Sequence, residues 1–239
     1  EAIADAAASL RARVHLKIDT GLHRNGASAE DWPGLVARAL ELSDSVELVG
    51  AWTHIAEASD ADDSVAIERF AAAVATAENL GATLIVRHLA ASAAAFARAD
   101  ARFDLVRIGA FSYGISPGGG ITSSSLGLEP VMTLTAPVTA MRDGLATVGI
   151  GFGDGIPSAA AGVLQLCIGG RLHEIVSVQL DRLTVDTRKA LVRPGDTAVL
   201  FGSGTDGELT LQDWADALDT IGEEIVTRLS PRIPRRFVE

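Results

Sequence analysis

The segment HLKIDTGLHRNG, from His15 to Gly26, joins an apolar run to a turn rich in glycine and charged residues. Its first part, within Val14–Asp19, has the composition of a buried strand and is predicted as one. Lys17 and Asp19 stand at the carboxyl end of that strand, where α/β barrels assemble their active sites. Lys17 is also one of only two lysines in the chain. The segment therefore favours a ligand site, although a strand-end turn with a solvated arginine explains it equally well when it is taken alone.

The first half of the chain continues this pattern, with apolar runs alternating with alanine-rich stretches. Such alternation predicts βαβ units and a parallel sheet. The predicted strands are Val14–Asp19, Val46–His54, Thr83–His88 and Phe103–Arg107, and the predicted helices are Ala29–Leu42, Ser64–Leu80 (closed by Gly81) and Ser92–Ala99. Four strands are too few to close a parallel barrel, and an open sheet would leave two unpaired edges. We expect either closure against another chain or, preferably, further barrel polypeptide beyond this sequence.

The second half changes character after Ser116–Gly120, a stretch rich in proline and glycine that is interpreted as a linker. Short apolar runs separated by turns predict a mostly antiparallel β domain. Its predicted strands are Val131–Met141, Leu145–Ile150, Val163–Ile168, Glu174–Val178, Leu183–Asp186 and Ala198–Phe201, followed by a helix over Leu211–Leu218 with Thr210 as N-cap. We expect the two domains to span 1–126 and 127–239.

Composition excludes several classes of protein. Residues of hydrophobic type make up 48% of the chain, yet none of the apolar runs approaches the roughly 18 residues that would indicate a membrane span. A net charge of −11 argues against a nucleic-acid partner. The single cysteine, Cys167, excludes an internal disulfide and fits a cytoplasmic protein. The first residues, Glu1–Leu10, lack the basic region of a signal peptide, so none is expected there.

Polar residues end each of the later strands as well. The second strand ends in Thr53-His54, the third in Arg87-His88 with Ser92 beyond it, and the fourth in Arg107 before Gly109. Serine hydroxyls and glycine N–H groups at such ends suit a phosphate. A single strand-end histidine is more often structural, but four polar ends in succession favour a barrel-like enzyme that binds an anionic ligand.

Several of these motifs, in this order, resemble the alanine racemase family across nearly the whole chain. The matching segments are Lys17–Gly26, Thr53–Ala56, His88–Ser92, Val106–Gly109, Gly149–Gly155, Leu180–Arg182 and Arg228–Arg235. The resemblance implies an α/β protein, with part of a (β/α)8 TIM-like barrel followed by a mostly antiparallel β domain. It also implies an isomerase that interconverts L- and D-alanine with pyridoxal phosphate. A cytoplasmic homodimer with shared active sites, supplying D-alanine for peptidoglycan, is what the family similarity leads us to expect.

The resemblance assigns roles to four residues of the barrel half. Lys17 matches a lysine that is often carbamylated and orients Arg24. Arg24 would bind the cofactor's phenolic oxygen and the substrate carboxylate. His54 would lie against the pyridine ring, and Arg107 would face the ring nitrogen, keep it unprotonated and so weaken the electron sink.

Further matches concern the cofactor phosphate and the partner subunit. Ser92, Gly109 and Ala110 correspond to residues that bind the cofactor, chiefly its phosphate. Leu180 and Asp181 match a segment that enters the partner's site, where Leu180 would contact substrate and Asp181 would act in catalysis. The resemblance implies no metal ligand.

The sequence departs from the family at the two residues that transfer the Cα proton. The family's Schiff-base lysine lies on the first barrel strand, and none of the residues in this sequence corresponds to that strand. The second base is a tyrosine in a loop of the β domain, but here Arg142-Asp143-Gly144 runs directly into Leu145. Since racemisation needs one base on each face of the Cα–H plane, the chain by itself is not expected to racemise alanine.

Other departures affect binding. Glu223 replaces a phosphate-binding tyrosine and would repel the phosphate, Ala91 replaces an asparagine, and the only tyrosine, Tyr113, is interpreted as structural. Three hypotheses follow: a racemase with segments beyond this sequence, an inactive homologue that binds pyridoxal phosphate or another phosphate, and a metal-dependent barrel enzyme. The last would use His54, Glu57, His88 and Asp104, but no HxH or HExxH spacing supports it.

Overall fold

The computed structural model describes residues 2–7, 10–57, 59–188 and 190–238, which form two compact units, residues 1–109 and 110–239. Within the described residues, no helix is both long and apolar enough to cross a membrane. The predicted fold class, part of a parallel α/β barrel followed by an antiparallel β domain, is confirmed. The domain limit predicted after Leu126 stays a prediction.

The first unit is a three-stranded parallel sheet with helices between its strands, in the order β1-β2-β3. Its elements are α1 (Ala2–Ala7), β1 (Ala12–Lys17), α2 (Trp32–Glu41), β2 (Val46–Trp52), α3 (Asp60–Asn79), β3 (Val86–His88) and α4 (Ser92–Ala97). Trp32, Phe70 and Leu89 are fully buried in its core. The register places Lys17 opposite Trp52 and Trp52 opposite His88, so the ends of the three strands meet at one edge.

Two predictions for this unit need correction. A fourth strand over Phe103–Arg107 does not form: only Leu105 bridges to His88, and Phe103 has a positive φ of 45° that breaks an extended run. Helix α3 begins at Asp60 rather than Ser64, because the Ser59 side chain accepts a hydrogen bond from the Asp62 N–H and caps it. The end of that helix is as predicted, with Gly81 at φ +98°.

The second unit is a closed antiparallel barrel with strand order β4-β5-β8-β7-β6-β9. Its elements are β4 (Leu134–Arg142), β5 (Leu145–Val148), β6 (Gln165–Ile168), β7 (Arg171–Val178), β8 (Leu183–Asp186), β9 (Thr197–Phe201), α5 (Leu211–Ala217) and α6 (Gly222–Arg228). Phe201 and Trp214 pack edge to face in its core. Thr210 caps α5 as predicted, by accepting a hydrogen bond from the Asp213 N–H.

Two further expectations for this half differ from the structure. The Ser116–Gly120 stretch, predicted as a linker, belongs to the second unit, where Ser116 is buried and accepts a hydrogen bond from the Gly118 N–H. Helix α6 was not predicted, because seven residues with two buried positions carry too little helical periodicity.

The β4–β5 connection is a two-residue hairpin turn. Arg142 pairs directly with Leu145, and Asp143 and Gly144 have φ values of +51° and +77°. Positive φ at both central positions is the geometry of a type I′ turn, which matches the right-handed twist of the two strands. The structure therefore has no loop at the position where the family resemblance places a tyrosine.

Candidate active site

The guanidinium of Arg107 is the centre of the cluster at the strand ends of the first unit. Its NH1 lies 2.9 Å from Nδ1 of His88, and its NH2 lies 2.9 Å from Nδ1 of His54. NH2 also lies within bonding distance of the carbonyl oxygens of Thr53 (3.2 Å) and Leu89 (3.0 Å). Arg107 is therefore positioned by His88, the last residue of β3, and by residues that directly follow β2 and β3.

Both histidines beside Arg107 are held in the neutral form. Burial lowers the pKa of His54, and the charges of Arg107, Arg24 and Lys17 lower it further. Burial, then Arg107 and His15, lower the pKa of His88 to about 4. At neutral pH these rings therefore accept hydrogen bonds from Arg107 instead of competing with it as cations.

His15 and Trp52 also contact His88. Nδ1 of His15 lies 2.9 Å from Nε2 of His88. The indole of Trp52 stacks on His88 at 5.4 Å with an interplanar angle of 10°. The same indole has the Arg107 guanidinium at 5.0 Å and the Lys17 amine at 4.8 Å from its ring centroid, both within cation–π range.

The Lys17 side chain contacts the backbone of Arg24 and not its guanidinium. The Lys17 amine donates a hydrogen bond of 2.6 Å to the backbone carbonyl of Arg24. Burial and the charge of Arg24 lower the pKa of Lys17. The Arg24 residue is exposed, and no hydrogen bond joins its guanidinium to any residue that the structure describes.

Ser92 and Gly109, predicted to bind phosphate, are in direct contact. The Gly109 N–H donates to Oγ of Ser92 at 3.0 Å, and Ser92 is buried at the start of α4. A Cβ at Gly109 would meet no heavy atom within 4 Å, so the space beside this residue is open. Ala110, the third predicted residue, is partly buried and begins the second unit.

The segment with Leu180 and Asp181 belongs to the second unit. Leu180 is 60% exposed, and Asp181 forms an ion pair with Arg182, whose hydrogen bond lowers the pKa of the carboxyl. The glycine-rich segment before it explains the position of this turn. A Cβ at Gly151 would lie 2.3 Å from the carbonyl oxygen of Gln179, so only glycine permits this close approach.

The residues of the metal hypothesis are engaged in other contacts. Glu57 accepts a hydrogen bond from the Ala94 N–H, and Asp104 forms an ion pair of 2.7 Å with Arg87. His54 and His88 present Nδ1 to a guanidinium, which would repel a metal ion placed there. The described part of the chain contains no group of three or more histidine, cysteine or acidic residues that could hold a metal.

Sequence reasoning passed over His15 and Trp52 as site residues. A usable signal was present, because His15 and Lys17 are two residues apart on β1 and so face the same side of the sheet. Trp52 is in register with both Lys17 and His88 on the neighbouring strands. Of the other departures, Tyr113 is exposed in the second unit and Glu223 lies in the first turn of α6.

Comparisons with known proteins agree with these features. Residues 1–117 match the family model "Alanine racemase, N-terminal domain", and residues 132–237 match "Alanine racemase, C-terminal domain". The alanine racemase of Beutenbergia cavernae is 43% identical over 95% of this chain and 67% of its own length. That of Thermobifida fusca is 41% identical over 98% and 70%, respectively.

Solved structures give the same result. The alanine racemase from Streptomyces lavendulae superposes with a TM-score of 0.92 and 34% identity, covering 100% of this chain and 70% of its own. That from Streptomyces coelicolor has a TM-score of 0.91 and 37% identity, covering 98% and 69%. These relatives support the racemase hypothesis and not the inactive alternative.

The alignments also bear on the β4–β5 turn. The alignment with the Beutenbergia cavernae protein is 253 positions long, but only 95% of the 239 residues of this chain take part in it. The remaining positions are gaps in this chain. That relative therefore carries internal residues that this chain lacks. A two-residue turn between β4 and β5 is consistent with one such difference.

Proposed function

The chain belongs to the alanine racemase family, and from this premise we propose that it serves the pyridoxal-phosphate-dependent interconversion of L- and D-alanine. The observation that carries the proposal is the Arg107 guanidinium held between two neutral histidines, with Lys17 and Arg24 close by. D-alanine made this way would supply peptidoglycan. The family similarity also supports a cytoplasmic homodimer with shared sites.

The residues present suit pyridoxal phosphate. Lys17, Arg24 and Arg107 each act on the pKa of His54, which places three cations close together in a chain of net charge −11. Such a local positive potential attracts an anionic ligand. Ser92 Oγ and the backbone around Gly109 add phosphate-binding groups beside open space.

Arg107 would face the pyridine nitrogen of the cofactor. When bound, pyridoxal phosphate withdraws electrons from the Cα of the substrate and so acidifies its Cα–H bond. An arginine can donate a hydrogen bond to a ring nitrogen, yet it gives up no proton near neutral pH. Arg107 would thus leave the ring nitrogen unprotonated, which would limit the electron withdrawal that the bound cofactor supplies and so disfavour side reactions.

We propose that the other predicted residues bind the substrate and the remaining groups of the cofactor. Arg24, exposed and without a side-chain partner among the described residues, would bind the substrate carboxylate and the phenolic oxygen. Lys17 would orient Arg24, His54 would lie against the ring, and Ser92, Gly109 and Ala110 would bind the phosphate. Leu180 and Asp181 would act in the site of the partner subunit.

The bases that would remove and return the Cα proton are the catalytic groups that we do not find among the described residues. Racemisation requires a base on each face of the Cα–H plane, and a positioned base contributes on the order of 10²–10⁴-fold in rate. The Asp143–Gly144 turn leaves no loop to carry the tyrosine that the family resemblance implies. We therefore propose binding by this chain, with slow racemisation when it acts alone.

The test measures cofactor binding and D-alanine formation separately. Absorbance titration with pyridoxal phosphate should show saturable binding to the chain and clearly weaker binding to Arg107→Ala. D-alanine formation should be at least about 10²-fold slower than with the Thermobifida fusca enzyme, reflecting a missing base. Exchange of alanine Cα–H in D2O, followed in parallel, separates proton removal from inversion.

Arg87→Ala removes an arginine of the same unit that pairs with Asp104 instead of the histidines, and it should bind the cofactor normally. Absence of saturable binding to the folded chain, or equal binding by Arg107→Ala, would contradict the proposal.

A further inference from the structure

We infer that Arg107 fixes a single tautomer, with the proton on Nε2, in His54, His88 and His15, and that His88 and His15 are positioning residues for Arg107. The hydrogen-bond geometry of the first unit carries the tautomer assignment without any cofactor. The positioning role rests on the proposed function, because it concerns how Arg107 meets the ring nitrogen.

Two imidazole rings, those of His54 and His88, contact the guanidinium of Arg107. A guanidinium has five N–H donors and no acceptor. NH1 and NH2 of Arg107 each lie 2.9 Å from an Nδ1 atom, one of His88 and one of His54. Each Nδ1 must therefore offer its lone pair. A neutral imidazole with an unprotonated Nδ1 carries its hydrogen on Nε2.

A further hydrogen bond joins His88 to His15 on β1. Nε2 of His88 lies 2.9 Å from Nδ1 of His15. Since His88 already has its hydrogen on Nε2, His88 is the donor and Nδ1 of His15 is the acceptor. Neutral His15 consequently carries its hydrogen on Nε2 too. Donation thus runs in one direction, from Arg107 through His88 to His15.

The surroundings keep these rings in place. Trp52 stacks on His88, which is only 7% exposed. Gly50 leaves room for the His15 ring, since a Cβ at this position would lie 2.8 Å from the Cγ and Nδ1 atoms of His15. Flipping the His88 ring would replace both Nδ1 and Nε2 with carbon, and both hydrogen bonds would be lost.

The orientation of Arg107 follows from these contacts. NH2 has three acceptors for its two hydrogens, and NH1 has His88. Nε and the second hydrogen of NH1 have no acceptor among the described residues, so these donors are available for a ligand. His88 is the only described side chain that holds NH1, which makes it the residue that sets the tilt of the guanidinium.

His173 is expected to adopt the other tautomer and therefore provides an internal reference. Its Nδ1 lies 3.1 Å from the backbone carbonyl oxygen of Asp186. A carbonyl oxygen only accepts, so neutral His173 must carry its hydrogen on Nδ1. The same chain therefore contains three histidines of one predicted tautomer and one of the other.

The decisive experiment is a long-range ¹H–¹⁵N correlation spectrum of the ¹⁵N-histidine-labelled chain without cofactor, near pH 7.5. We expect the Nε2–H pattern for His15, His54 and His88, and the Nδ1–H pattern for His173. An Nδ1–H pattern, or an averaged mixture, at His54 or His88 would overturn the assignment. In folded Arg107→Ala, His54 and His88 should lose their fixed tautomer while His173 keeps its own.

The positioning role is tested by two variants of His88 that mimic different ring nitrogens. The side-chain oxygen of His88→Asn can occupy the place of Nδ1 and still accept from Arg107. The amide of His88→Gln instead reaches the place of Nε2 and contacts His15. We expect pyridoxal phosphate affinity to stay within about twofold for His88→Asn and to fall about fivefold for His88→Gln, the change for loss of one hydrogen bond.

The outcomes separate this inference from the proposed function. Equal cofactor affinity of folded His88→Asn and His88→Gln would overturn the positioning role. Failure of the wild-type chain to bind the cofactor would contradict the proposed function, while the tautomer spectrum would still confirm or refute the assignment. Thermal unfolding followed by circular dichroism shows whether each variant is folded.

Discussion

At the residue scale, the site depends on one partly buried cation, Arg107, and on the hydrogen-bond acceptors around it. Arg107 is partly buried, which lowers its pKa, but arginine remains protonated in proteins. Burial lowers the pKa of His54 and His88, and the charge of Arg107 lowers it further, so both rings are neutral near pH 7. The same guanidinium that we propose for cofactor binding thus contributes to the neutral state of the histidines around it.

The pKa of His88 predicts a pH-dependent stability. Its folded-state value of about 4 lies below the unfolded value of 6.5, so the unfolded chain gains the proton first as the pH falls. The contribution of neutral His88 is complete above about pH 6.5 and is lost as the pH falls to about 4. The shift corresponds to about 3 kcal/mol. Arg107 and His15 are the titratable groups that face His88.

Urea unfolding of the wild type and of His88→Gln at several pH values measures this effect. The difference in free energy of unfolding between the two proteins should shrink by about 3 kcal/mol between pH 7 and pH 4. A difference that does not change with pH would show that His88 does not titrate in this way.

Lys17 should form a carbamate more readily than an ordinary lysine. Burial and the nearby arginines lower its pKa, so a larger fraction of its amine is neutral and able to react with carbon dioxide. In ¹³C-bicarbonate near pH 8, a carbamate resonance should appear for the wild type and for Lys189→Met. The same resonance should be absent from Lys17→Met, and its persistence there would disprove the assignment.

The candidate residues of the site can be proposed from the sequence. Lys17, Arg24, His54, Ser92 and Arg107 are predicted from strand-end position and from family resemblance. The hydrogen bonds among them are not, because they depend on the register between parallel strands that are distant in sequence. The spacing of His15 and Lys17 on β1 places His15 on the same side of the sheet, but its contact with His88 depends on where β3 lies.

At the scale of elements, the β4–β5 hairpin carries the clearest departure from the family resemblance. Asp143–Gly144 is a favourable sequence for a type I′ turn, and the structure forms that turn. Gly144 is also crowded, because a Cβ at this position would lie 2.4 Å from Cγ and 3.3 Å from Cα of Arg188. Position 144 of the turn therefore favours glycine over residues that carry a Cβ atom.

Gly144→Ala should destabilise the protein more than a matched substitution. The control is Gly127→Ala, which has a similar φ of +68° but no heavy atom within 4 Å of its Cβ position. Left-handed geometry costs either alanine roughly 1–2 kcal/mol. Contact with Arg188 should add about 1 kcal/mol at position 144. Chemical unfolding of both variants checks this, and equal losses would refute the crowding.

The elements themselves were predicted where local signals are strong. Thr210 and Gly81 marked helix ends correctly, because capping and left-handed glycine are local effects. The predicted strand over Phe103–Arg107 is wrong because these residues form a loop. The Arg107 N–H donates a hydrogen bond to the Ala90 carbonyl and so holds the end of that loop. Short helix α6 was missed because its packing against the core, not its periodicity, defines it.

At the scale of the whole molecule, the family similarity leads us to expect a homodimer. Leu180, in the segment expected to enter the partner's site, is 60% exposed in the single chain. Sedimentation should therefore give about twice the chain mass of 24.8 kDa. Leu180→Asp should favour the monomer, whereas Leu191→Asp, at a leucine that is 96% exposed in the same unit, should leave the dimer intact. A wild-type monomer at high concentration would contradict this expectation.

The most direct test of the central claim is the ¹⁵N chemical shift of the pyridine nitrogen of labelled pyridoxal phosphate bound to the chain. If Arg107 faces that nitrogen as a donor that keeps its own proton, the shift will be that of an unprotonated, hydrogen-bonded ring. Arg107→Glu, which offers a carboxylate instead, should move the shift towards the protonated value. A protonated ring nitrogen in the wild type, or a shift that Arg107→Glu leaves unchanged, would contradict the account.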